Sequence, residues 1–418
     1  MKGSNCPFFT EVILWKEVGF LTTQISQSVN DVEKKQRIFA FCITISIFMP
    51  YYITGVVMVA GAIYVIAGKE RRAWALAEPY SRMILTVVSG WTLISLLYQN
   101  FYGAGISLLL TAVLFVVFYL RSFMTQRLFN TLMDVACLAS ISTTVIAIGQ
   151  LIYYEGLGSL QRAESVCFNP NYYGMMMEFM AIIALYRAFG NPKFRKFYAV
   201  VIVSSLIGIY LCASISAAAA VFVGILAFFL LRGRYKYFWV FAVLGVLAAL
   251  AALTVLPAIF PRASDADHSM DQRLSIWFTA LQGIRQHLFF GQGPMTYEMI
   301  YTQFSGYATH HAHNLFLDTV LNYGLFGAAA IGFFAVTQIR VVISRIRRGI
   351  SSSTGVLVLV LAFMTAVHGM TDVTVLWIQT GAMFLLVYSS VGIRSEAVAV
   401  SPVFAGASRL AHERAYKN

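Results

Sequence analysis

Charge is what this sequence has least of. Only 11% of its 418 residues are charged, against roughly 25% in a soluble domain. Hydrophobic residues make up 59% and the mean hydropathy is +0.73. A soluble fold is excluded, and the chain must satisfy its backbone inside lipid, through helices or a closed barrel. Its apolar runs are about 17 to 25 residues long without strict alternation, which selects helices. Cysteine is also sparse. Cys6, Cys42, Cys137, Cys167 and Cys212 contain no C-x-x-C pair, so neither a disulfide framework nor a zinc-thiolate site is read from them. The opening "MKGSNCPFFTEVILWKEVGF" lacks the clean apolar core of a cleavable signal. It reads as a cytoplasmic or interfacial amphipathic segment. Internal repeats and low-complexity tracts are missing, and one membrane domain is expected.

The apolar runs suggest twelve spans, near 37–49, 52–67, 82–98, 102–120, 130–153, 172–188, 197–213, 214–231, 237–257, 314–339, 354–371 and 375–393. Charge sets their direction. With both termini inside, 26 of the 30 Lys and Arg fall on the cytoplasmic side, as the positive-inside rule requires. The net charge of +12 is then a property of cytoplasmic loops, and nucleic acid is not the expected partner. Arg162, Arg262, Arg273 and Arg285 are the external exceptions. The expected organisation is an all-α polytopic bundle. An N-terminal segment 1–36 precedes helices in 37–257; an external loop 258–313, further helices in 314–393 and a cytoplasmic tail 394–418 follow. The loop is not uniformly polar. "RLSIWFTALQGIRQHLFF" spaces Leu274, Trp277, Phe278, Leu281, Ile284 and Leu288 three or four apart, an amphipathic helix at the membrane face or on the bundle. "GQGP" breaks it. The second external segment is 154–171.

Three stretches resemble a known family. "HAHNLFLDTVLNYGLFG" has His313 and Asn314, nine residues, Gly324, two residues and Gly327. That spacing, after the Arg-bearing loop, resembles the O-antigen ligase and polymerase superfamily of bacterial membrane glycosyltransferases. "QRAESVCFNPNYYG" is similar to the family's external Arg-then-Asn-Pro-Asn segment, and "HGMTDVTVLW" to its His-Gly and Asp near the last span. The likeness covers roughly 160–380; before that it rests on hydropathy. The chain departs from the pattern in one place. Members carry a Ser-Arg or Thr-Arg pair at the external start of a middle helix, where the arginine is implicated in holding the donor diphosphate. Here the sequence reads Ser214, Ile215, Ser216. The resemblance implies a donor glycan on polyprenyl (undecaprenyl) diphosphate and direct displacement with inversion. It implies no metal and no cofactor. The enzyme is expected in the bacterial inner membrane, its site facing the periplasm or exterior.

The residues themselves suit that chemistry. A leaving diphosphate needs fixed cations in a site shielded from water, and the planar Arg fork donates two hydrogen bonds at once. An acceptor hydroxyl needs a base, a role suited to imidazole at neutral pH. His313 is the expected base. Arg273, Arg162 and Arg285 are the expected diphosphate ligands, and Arg262 reads as a headgroup contact. His311, Asn314, Asp318 and Asp372 are expected to touch the acceptor or support the base. His310 reads as scaffold and His268 as solvated loop. Asn169-Pro170-Asn171 is expected to shape a turn and cap the sixth span. Gly324 and Gly327 are expected to pack a helix closely.

Three histidines within four residues also raise a metal site. Such a cluster seldom closes on an ion without a carboxylate or thiolate arriving from elsewhere, so none is expected. A transporter would place ionisable groups near the midplane, whereas here polar residues crowd one face. The reading favours a glycosyltransferase of surface polysaccharide biosynthesis: a repeat-unit polymerase first, a ligase to lipid A core or another final acceptor second. Its partners are the lipid-linked donor, a glycan acceptor and membrane lipids.

Overall fold

A computed structural model describes residues 31–156, 161–254 and 266–393. Most of the N-terminal segment, the tail 394–418, Cys6, Arg262 and Asp265 lie outside these residues. All regular structure among the described residues is helical. Each expected span is a helix: α1 (31–46), α2 (Tyr51–Ala67), α4 (Ser81–Leu97), α5 (Phe101–Phe123), α6 (Gln126–Gly156), α7 (Pro170–Gly190), α8 (Arg195–Leu211), α9 (Ile215–Leu231), α10 (Tyr235–Thr254), α13 (Leu315–Arg347), α14 (Ser352–His368) and α15 (Ile378–Ser389). Length and composition qualify fewer of them as crossings. Four are long and apolar enough, or five if the bent pair α2 and α3 (Lys69–Ala77) is one span. A 17-residue helix covers about 26 Å, short of a hydrocarbon core of about 30 Å. α3 stands where a cytoplasmic loop was expected; it turns 101° from α2 and carries Lys69, Arg71 and Arg72.

The fold centres on α7. It packs on α6, α8, α9, α14 and α15, and Tyr173 through Ala184 are all buried. An all-round apolar helix belongs in the middle of a bundle. Its start is fixed locally: the Asn169 side chain accepts from the N–H groups of Asn171 and Tyr172, with Pro170 in the first turn. Within α7, Glu178 meets His368 of α14 at 2.9 Å, both fully buried. The α8–α9 joint is a tight turn at Cys212–Ser214. Ala213 has φ 47° there, and the Ser214 hydroxyl caps α9 by accepting from Ala217 N–H.

The segment between α10 and α13 contains α11 (Ala266–Gln286) and the short α12 (Thr296–Ile300). α11 is the expected amphipathic helix, with an unexpected division of its apolar residues. Ile276, Ala280 and Ile284 face a small core with Tyr297, Ile300, Ala312 and Leu321, while Leu274, Phe278 and Leu281, and Leu288 just past the helix, are exposed. Two apolar faces suit a helix that touches both protein and lipid.

Gly324 bends α13. It has φ 61° and ψ −174° inside the helix, a conformation open essentially to glycine alone. A Cβ there would collide with the backbone of Phe289 and Phe290. The break frees two N–H groups, and the loop after α11 satisfies them: Leu325 donates to Leu288 O at 2.8 Å and Phe326 to Phe289 O at 3.1 Å. Gly327 lies against Trp91. The glycine pair therefore joins α13 to the α11 loop and to α4.

Candidate functional site

Asp372, just beyond α14, is the centre of the site. It is 2% exposed. Its Oδ1 lies 3.1 Å from His313 Nδ1 and 3.9 Å from His311 Nε2, and accepts Val373 N–H at 2.8 Å. Its Oδ2 accepts from Asn171 Nδ2 at 2.7 Å. The carboxylate thus receives donors on both oxygens. Burial by itself would raise Asp372. The hydrogen bond from His313, then the charges of His313, His311 and His368, outweigh it and hold the carboxyl well below the usual range.

His313 stands immediately before α13, at φ 45°. Asn, Asp and His are the non-glycine residues that best tolerate that region. Its Nδ1 faces a carboxylate, so Nδ1 carries the proton and Nε2 presents a lone pair. Thr309 Oγ1 lies 3.2 Å from that Nε2. The loop is held at several points. Trp277 Nε1 donates to His313 O at 3.4 Å. Asp318, 2% exposed, accepts from Ala312 N–H at 2.9 Å and Asn322 Nδ2 at 2.6 Å. The expected Asp318 contact with the His313 ring is absent among the described residues; the carboxylate holds the backbone one residue earlier. Asn314 caps α13, accepting from Phe316 and Leu317 N–H, and donates to Met370 O at 3.0 Å. That is a structural use of a residue expected near the acceptor. His311 packs on His313, ring centroids 4.4 Å apart, with Tyr172 Oη 3.3 Å from its Nε2. Burial, the main cause, lowers the His311 imidazole to about 4 against the pull of Asp372. His310 turns outward to Glu298 at 3.1 Å.

The three expected arginines separate. Arg273 donates Nε–H to Thr371 O at 3.0 Å, one residue from Asp372. Its two Nη nitrogens have no partner among the described residues. Thr371 Oγ1 meets Ser216 Oγ at 2.7 Å, so Thr371 links Arg273 to the start of α9, where the expected family pattern has an arginine and this chain has none. Arg162 serves differently: Nε donates to Cys212 O and Nη2 to Asn171 Oδ1, each at 2.7 Å. It fixes Asn171, which fixes Asp372. Arg285 is exposed and twelve residues from Arg273 on α11, about 18 Å along the axis. The structure does not bring it to the others.

Asn171, Tyr172, Trp277, Thr309 and Thr371 were not anticipated as parts of one site. Asn171 left a faint signal. Asn is a poor helix former, and Asn169 already occupies the cap, so a second Asn in the first turn has no local use. A metal is sterically possible: His311, His313 and Asp372 bring three ligand atoms within 4.8 Å of one another.

Residues 199–332, from α8 into α13, match the family model described as O-antigen ligase. Comparison with curated proteins gives no match. Arg162, Asn171 and Asp372 lie outside the matched stretch. The stretch itself holds Arg273, His311, His313 and Gly324, and over these residues the chain is similar to the O-antigen ligase family, which supports the expected superfamily.

Proposed function

We propose that this protein is an integral membrane glycosyltransferase that moves a glycan from polyprenyl diphosphate to an acceptor sugar hydroxyl on the external membrane face. The observation that carries the reading is the His313–Asp372 pair beside Arg273, whose two Nη nitrogens have no partner among the described residues. Asp372 keeps the proton on Nδ1, so His313 Nε2 takes the proton of the acceptor hydroxyl, in the place that Thr309 Oγ1 now approaches. The acceptor oxygen bonds to the anomeric carbon as the carbon–diphosphate bond breaks, with inversion. The charge growing on the leaving diphosphate meets the two Nη groups of Arg273. Arg162 supports the carboxylate through Asn171 and does not touch the donor. No protein-bound metal is needed for these steps.

Residues of this site, from Arg162 to Asp372, gather at helix ends of a chain whose spans carry few charges, which favours an enzyme on one face over a transport path. Within the class, the reading is a repeat-unit polymerase; the second reading is a ligase to a final acceptor. Host cells expressing wild type, His313→Ala or Arg273→Ala would be compared by mass spectrometry of polyprenyl-linked glycans. Single repeat units accumulating in both variants identify a polymerase. Long lipid-linked chains identify a ligase. Wild-type profiles from normally expressed variants would overturn the assignment.

A further inference from the structure

We propose that His311 Nε2, His313 Nδ1 and Asp372 Oδ1 form a three-ligand site for a zinc-class divalent cation, and that the bound ion switches the transfer reaction off. The inhibitory half rests on the function proposed above; the binding half does not. Histidines adjacent in sequence need a ligand from elsewhere to close on an ion, and Asp372 supplies it from 59 residues away. Two imidazoles and one carboxylate suit zinc and its borderline neighbours, and are poorly matched to Mg²⁺ or Ca²⁺.

The geometry is close to a tetrahedral set. With zinc–ligand bonds of about 2.0 Å, ligand atoms stand about 3.3 Å apart. Asp372 Oδ1 is 3.1 Å from His313 Nδ1 and 3.9 Å from His311 Nε2, and all three atoms fall within 4.8 Å. Closing the site asks the His311 ring to approach by about 0.6 Å toward Asp372 Oδ1 and by up to about 1.5 Å toward His313 Nδ1. That approach gives up the 3.3 Å contact with Tyr172 Oη and the long 3.4 Å bond from His313 N–H to His311 Nδ1. The support a metal carboxylate needs is present, because Asn171 Nδ2 holds Asp372 Oδ2 at 2.7 Å. Both histidine side chains are partly open, 17% and 25% exposed, so an ion can enter and keep water as a fourth ligand.

Inhibition follows from imidazole chemistry. An ion on Nδ1 takes up the lone pair of that nitrogen, so the neutral ring carries its single proton on Nε2 instead. Nε2 is then a donor and can no longer take a proton from an acceptor hydroxyl. The ion also occupies the Asp372 oxygen that orients the base.

The test uses the full chain, purified through a tag without histidine and held in nanodiscs without glycan. Zinc is titrated in by calorimetry, with stoichiometry from elemental analysis. One ion per chain at micromolar affinity or better is expected, about tenfold or more weaker in His311→Gln and Asp372→Asn and unchanged in His310→Ala. Each variant is first checked for a wild-type elution profile and unfolding temperature. Zinc should abolish glycan transfer and a chelator restore it. Absent stoichiometric binding, or binding indifferent to His311→Gln, overturns the site whatever the enzyme's activity. Binding that leaves transfer unaffected, or stimulates it, overturns the switch. An inactive wild-type protein that still binds zinc faults the glycosyltransferase reading and leaves the site standing.

Discussion

Replacing Asn171 by Ala tests whether the chain from Arg162 to His313 works as a unit. The substitution removes the 2.7 Å bond to Asp372 Oδ2 and the acceptor of the Arg162 fork. Asp372 keeps Val373 N–H and His313 on its other oxygen, so the carboxylate stays in place with one oxygen unsupported. A hydrogen bond to a charged group contributes about 1.5–3 kcal/mol. His313 gains positive charge only as it takes the proton, so Asp372 is needed most in the transition state. If the whole loss is felt there, kcat falls about ten- to hundredfold at about 1.4 kcal/mol per decade. The donor should bind as before, because no donor ligand is removed. Initial rates in nanodiscs, with donor and acceptor varied separately, give both constants. A kcat within about threefold of wild type would refute the reasoning, as would a raised donor KM at constant kcat.

Other substitutions separate the remaining roles. Arg273→Ala should raise donor KM as well as lower kcat, whereas Arg162→Ala should act on kcat with little change in donor KM; kinetics with a lipid diphosphate donor decide it. Asp372→Asn should cost about a hundredfold or more in kcat, because the amide no longer fixes the His313 tautomer, and zinc-free enzyme should be used for the comparison. Glu178→Ala leaves His368 without its buried partner and should destabilise the protein by about 3–5 kcal/mol, read from detergent-solubilised unfolding. Gly324→Ala places a Cβ against the Phe289–Phe290 backbone at a glycine-only conformation. It should lower stability by at least about 1–3 kcal/mol and reduce turnover with it, since α13 carries the His313 loop.

Legibility in the sequence followed the range of the interaction. His313 was singled out because its motif is local, and α11 was legible because an amphipathic period is local. Asn169 and Asn314 bond to N–H groups two and three residues on; the first was read as a cap and the second as a site residue, because a cap and a ligand can be the same residue type. Arg162, Arg273 and Arg285 look alike in sequence, as external arginines that orientation leaves unexplained. Only their neighbours distinguish a strut, an open fork and a residue some 18 Å away along its helix.

The amino-acid sequence alone determined that the chain is helical and lives in lipid, because scarce charge and long apolar runs leave the backbone no other means of satisfying itself. It also marked Gly324 and Gly327 for close helix packing, whereas the bend at Gly324 emerged only in the structure. The tertiary structure decided which carboxylate serves His313. Asp318 is five residues away and turns to the backbone, while Asp372 arrives from 59 residues on and Asn171 reaches it across 201. Helix periodicity reports which face is apolar; which helix ends meet at the membrane surface is set by how the whole bundle packs.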